Sequence, residues 1–270
     1  MERFVDLMDL KDTFIPSCFE YRGWERLLSD LPGVCKPLIR EFYANVVLRE
    51  DELNYWIRGR EFTIDVNDID NVLGLEGLDN HDFTNYKDRM LSIETVQSCI
   101  VGEREGRCLN TTTFLANMRC LTTIMMFNLY PVRKLTTINN ARAIFLMELK
   151  ENTFIDISSH IFDTIVDETK TTSRAKLIFP SLLMRLFRLK GVVIPQDISL
   201  MPTPSAVNKL TIQGYKFVSQ MMKMKVTKEK VNQWRLRLRL QENAQAQGVE
   251  ARGAELHPHQ LYLQTHSRSS

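Results

Sequence analysis

Apolar side chains recur along this chain mostly at intervals of three and four, the spacing that gathers them on one face of an α-helix. In VCKPLIREFYANVV, residues 34–47, Leu38, Phe42 and Val46 fall at successive steps of four with Ile39 and Val47 beside them, which predicts a core helix. ELNYWIRGREFTI then brings two short apolar runs, Leu53 to Ile57 and Glu61 to Ile64, separated by a Gly-containing turn. That arrangement predicts a small β-hairpin near residues 53–64. In DVNDIDNVLGL, Asp65 is placed to cap a short helix with Val66, Ile69, Val72 and Leu73 on one face, and Gly74 is placed to end it. Beyond this point the pattern offers no further strand.

The second half continues the helical spacing. TTTFLANMRCLTTIMMFNL, residues 111–129, carries Phe114, Leu115, Met118, Leu121, Met125 and Leu129 at threes and fours and is closed by Pro131, predicting one central buried helix. INNARAIFLMELK (138–150) and DISSHIFDTIVDETK (156–170) predict two more, the latter capped by Asp156 or Ser158, with His160 partly exposed on it. LIFPSLLMRLFRLKGVVIP, residues 177–195, has Pro180 as a start signal and Gly191 as a stop. At 100° per residue its apolar side chains from Leu182 to Leu189 cover about 220°, which leaves Arg185 and Arg188 a narrow exposed edge. A membrane-surface helix would need a broad polar face. Lys190 suits the negative end of the helix dipole. The Pro-broken MPTPSAVNK is expected to close the packed domain.

Composition adds limits rather than a function. With 44% hydrophobic and 25% charged among 270 residues, the chain can bury a core without staples. A net charge of +2 is too small to draw the whole molecule to nucleic acid or membrane, so any such affinity must be local. Residues 50–88 hold eleven acids against three bases, whereas residues 223–240 hold seven bases against one acid, so local clustering exists at both signs. Five dispersed cysteines with no CxxC fit reduced thiols. No signal peptide and no run of about 18 apolar residues is visible, so the expectation is an intracellular protein, nuclear or cytoplasmic, neither secreted nor membrane-spanning.

The motif search returns no chemistry. DVNDIDNVLGLE has the length of a calcium loop, but Ile69 stands where an oxygen ligand is required and Asp70 where the turn demands Gly. GLEG, residues 74–77, would aim a carboxylate at phosphates. Asp79, His81 and Asp82 read as a solvated acidic turn. There is no GxSxG, P-loop, GxGxxG or HExxH, and three of the five histidines, His257, His259 and His266, sit in a polar tail. The expectation is therefore no enzyme, with no catalytic residues, no metal, no cofactor and no small-molecule substrate. The alternative is a metal-dependent nucleic-acid-processing enzyme assembled from Asp65, Asp68, Asp70 and Asp82. Their dispersal around a short helix and a loop argues against it, because two-metal chemistry needs converging carboxylates.

Five blocks carry a resemblance: YRGWERLL (21–28), LIREFYANV (38–46), IRGREFTIDVNDIDNVLGL (57–75), NARAIFLMELKENTFIDISSHIFDTI (140–165) and KLIFPSLLMRLFRLKGVVIP (176–195). In order and spacing the chain resembles the domain family called putative plant transposon protein over residues 18–210. The departure is Glu76, where a Pro commonly follows the LGL block. The resemblance implies a plant retrotransposon-type context and supplies no catalytic residues.

The expected organisation is a mainly α protein. An N-terminal arm (1–17) precedes a compact helical domain (18–210) containing the hairpin, followed by a basic, helical extension (211–247) and a disordered tail (248–270). WRLRLRL within the extension also alternates with period two, so helix and strand both remain open there. Lys223, Lys225, Lys228, Lys230, Arg235, Arg237 and Arg239 are the candidate nucleic-acid contacts. The functional expectation is a non-catalytic structural or interaction protein, with nucleic acid through the basic tail and self-association as the partners to consider, and no membrane.

Overall fold

A computed structural model describes residues 1–75, 104–105, 108–132, 135–170, 177–194 and 198–221. The chain divides into two units, Met1–Phe217 and Val218–Ser270; of the second, residues 218–221 are described and are helical. The first unit is mainly α. Its helices are α1 (Ile15–Glu20), α2 (Glu25–Ser29), α3 (Lys36–Asn45), α4 (Val66–Leu73), α5 (Ala116–Ile124), α6 (Asn140–Lys150), α7 (Ile157–Thr169) and α8 (Pro180–Leu189), with α9 beginning at 209.

The predicted hairpin is present as β2 (Glu52–Ile57) and β3 (Arg60–Ile64), with Tyr55 opposite Phe62 and Ile57 opposite Arg60. It is extended by a third strand, β1 (Val47–Arg49), antiparallel to β2. Val47 therefore leaves the helical stripe that its spacing suggested: α3 stops at Asn45 and Val47 is exposed on the strand. A second antiparallel sheet, β4 (Arg104–Glu105), β5 (Cys108–Asn110) and β6 (Thr137–Asn139), overturns the expectation that strands end with the hairpin. Its strands hold three residues or fewer, too few to register a period of two.

The predicted central helix over 111–129 is broken into three pieces. A 3₁₀ turn spans Thr111–Thr113, held by the Asn110 side chain, which accepts from the Thr112 N–H at 3.0 Å and its hydroxyl at 2.7 Å. Phe114 and Leu115 are extended, and α5 then passes into a π-turn, Met125–Leu129. Asn and Thr compete for backbone groups at just such positions, and this competition defeats the apolar periodicity.

The core is organised on α8. Leu183, Met184, Leu186 and Phe187 are fully buried, and Phe187 meets Phe42 of α3 and Tyr55 of β2, each at 5.7 Å between ring centres. Phe42 and Tyr55 themselves meet edge-on at 5.0 Å. The helix, its Pro180 start and the left-handed Gly191 after it (φ 73°) match the sequence reading. The side chains of Arg185 and His160 do not. Arg185 is 8% exposed, so of the two arginines Arg188 alone is exposed, with Leu189 of the apolar arc exposed beside it. His160 is 3% exposed, packed against Tyr130 and Phe145 with Nε2 3.0 Å from the Leu129 carbonyl oxygen.

MPTPSAVNK does not leave the domain. Met201 exchanges two backbone hydrogen bonds with Val34, both 2.9 Å, and Val207 pairs in parallel with Val5. In α9, Ile212 is buried and the Tyr215 hydroxyl lies 2.8 Å from Thr123 Oγ1. Among the described residues no helix is long and apolar enough to cross a membrane.

Candidate functional site

Buried polar groups cluster where the chain's first residues meet α8. Phe179, just before the helix, is left-handed (φ 45°), and Pro180 has no N–H to offer, so the first free donors of the helix are Ser181 and Leu182. Both donate to Oε1 of Glu2, at 2.9 and 3.0 Å. Glu2 is only 3% exposed and caps the helix from 179 residues away, where a carboxylate favours the positive end of the dipole. Burial pushes the Glu2 carboxyl above the usual carboxylate range, against the downward pull of those N–H groups. Its second oxygen, Oε2, and the Ser181 hydroxyl have no hydrogen-bond partner. Beside Glu2 lies a cavity of about 10 Å³ lined also by Asn128, Phe179, Leu182 and Arg185 among others, about the space one water requires.

Two further groups complete the cluster. Asn128, buried in the π-turn, reads the backbone of Arg3 twice: its Nδ2 donates to the Arg3 carbonyl at 2.7 Å and its Oδ1 accepts the Arg3 N–H at 3.2 Å. Arg185 donates to the carbonyls of Arg26, at 3.0 Å, and Val72, and its Nε lies 3.4 Å from Asp30. It thus ties the ends of α2 and α4 to α8. Arg22 works similarly elsewhere, donating to the carbonyls of Glu148, Leu149 and Thr153 at the end of α6.

The acids named from the sequence are engaged in building the fold. Asp65 and Asp68 form a capping box, each carboxylate accepting the other's N–H at 2.8 and 3.0 Å. Asp68 also pairs with Lys190 at 2.6 Å, so Lys190 finds a carboxylate in addition to its own helix end. Asp70 accepts from the Ser158 hydroxyl at 2.5 Å, and burial pushes its carboxyl up. Asp156, not Ser158, caps α7. Among the described residues no three His, Cys, Asp or Glu are placed to hold a metal ion. Asp79, His81 and Asp82 lie outside the described residues, as do all seven basic candidates from Lys223 to Arg239.

Glu2, Asn128 and Arg22 were not identified from sequence. Asn128 left a signal, a lone amide inside the apolar run IMMFNLY. Glu2 left none, because the groups it serves are far away along the chain.

The model of a family described as putative plant retrotransposon-related domain matches residues 20–193, in agreement with the five blocks. No curated protein and no solved structure matches the chain.

Proposed function

The chain belongs to the plant retrotransposon-related family, and from that premise we propose that it acts as a non-catalytic structural or interaction module of a mobile element, with the basic stretch Lys223 to Arg239 contacting nucleic acid. One observation carries the non-catalytic part. Asp65, Asp68 and Asp70, three of the four acids that the sequence offers for metal-dependent phosphoryl chemistry, are occupied in a capping box, an ion pair and a hydroxyl contact. Two-metal catalysis needs carboxylates converging on ions about 4 Å apart.

The purified full chain should leave single- and double-stranded DNA and RNA intact in magnesium or manganese; cleavage that is lost in Asp70→Asn would overturn the reading. The nucleic-acid part rests on charge: seven cations can neutralise phosphates and release counterions, so binding should fall steeply with salt. Truncation after Met221 should abolish that salt-dependent binding, and full retention would refute it.

A further inference from the structure

Residues 2–6 lie in a groove whose walls come from distant parts of the domain. The Ser181 and Leu182 N–H groups hold the Glu2 carboxylate, and the Asn128 side chain holds both backbone groups of Arg3. The Leu28 carbonyl accepts the Val5 N–H at 3.1 Å. Val207 accepts from Asp6 at 3.0 Å and donates to Phe4 at 2.8 Å. Only Glu2 and Val5, three residues apart, are buried, while Phe4 is exposed and Arg3 lays its guanidinium over the Phe127 ring at 4.3 Å. The groove therefore recognises an extended main chain, a carboxylate and, three residues on, a small branched apolar side chain. Main-chain pairing for affinity and pockets for selected side chains are the way extended peptides are bound.

Two observations set the segment apart from the groove. Leu28, Asn128, Ser181 and Leu182 lie within the residues that match the family, whereas Glu2 to Asp6, and of the groove Val207, lie outside them. The fit is also incomplete: Glu2, which lines the small cavity, has Oε2 unpaired, and Ser181 Oγ is unpaired too. A buried carboxylate with one idle oxygen is held less firmly than a fully paired one.

We propose that this groove is an acceptor for an extended, acidic peptide segment, and that Glu2 to Asp6 fills it in cis as a releasable plug. The inference is independent of nucleic-acid contact by the stretch beyond Met221. In the unmodified full chain, the amides of Val5, Asp6, Ser181 and Val207 should exchange with deuterium at least tenfold faster than those of Phe42 and Ile161 in the core helices. Uniform protection would mean that the segment leaves only on global unfolding, and the proposal would fall. Next, a labelled peptide of residues 1–8 is titrated into the full chain carrying Glu2→Ala and Val5→Ala. It should bind saturably and at least tenfold more tightly than the same peptide with Glu2→Ala, and the unmodified chain should bind it more weakly because its own plug competes. Equal binding of the two peptides, or none in a variant whose near-UV circular dichroism is native, overturns the proposal. If the variant does not fold, the exchange measurement alone decides.

Discussion

Arg185 and Arg188 differ by one helical turn and by everything that matters energetically. Replacing Arg185 with Leu would take the donor from the Val72 carbonyl, whereas the Arg26 carbonyl keeps the Asp30 N–H. One unsatisfied acceptor costs about 1–3 kcal/mol, so urea unfolding should show a loss of about 1–3 kcal/mol. Arg188→Leu, on the exposed edge, should stay within about 0.5 kcal/mol. A near-equal effect would mean that the guanidinium of Arg185 holds nothing together. The buried thiols give a second residue-scale test. Burial pushes Cys18 up to about 11 and Cys120 up to about 12, from an ordinary 9.0. Above pH 9 the unfolded chain sheds thiol protons that the folded chain keeps, so the stability these groups contribute is present below pH 9 and is lost as pH climbs through 11 and 12. Thermal melts at pH 8, 9.5 and 10.5 should fall in that order, and replacing both cysteines with Ala should flatten the trend. At pH 8 neither thiol should react with a disulfide reagent until the protein unfolds.

At the scale of elements, the two hairpins of the first sheet solve the same geometry with different residues. The turn between β2 and β3 is Arg58-Gly59, with φ of 53° and 75°; the turn between β1 and β2 is Glu50-Asp51, with φ of 48° and 65°. Two residues at positive φ make the tight turn that matches strand twist, and Asn-Gly is its preferred sequence. Glu50→Asn with Asp51→Gly should therefore stabilise the protein by about 0.5–1 kcal/mol in chemical denaturation, and destabilisation would show that the two acids have another partner. The elements legible in the sequence were those whose residues answer to near neighbours: the Arg58-Gly59 hairpin, the Asp65 cap with its Gly74 stop, and the ten-residue α8 between Pro180 and Gly191. The misread ones were settled across the fold. Apolar spacing alone placed Arg185 outside, yet the carbonyls of Arg26 and Val72 on two other helices draw it in. Asn128 sits in a π-turn that no local rule demands, facing a backbone 125 residues away.

At the scale of the whole molecule, the end of the packed domain follows contacts rather than prolines. Cutting after Asn208 would remove buried Ile212, the Tyr215 ring that Arg119 covers at 4.4 Å, and the Lys209 pair with Asp12 at 3.2 Å. That truncation should lower the melting temperature by several degrees relative to truncation after Met221, which keeps all three contacts. Identical melts for both would show that α9 contributes nothing to the fold. The segment made of residues 2–6 bears on how the protein is made. Its partners include Ser181, 179 residues later, and Val207. At about 5–20 residues per second, a ribosome would leave Glu2 without Ser181, and Phe4 and Asp6 without Val207, for some 10–40 s. The segment is thus secured long after it is made, and a holding factor acting during translation would find Glu2, Phe4 and Asp6 unpaired throughout that interval.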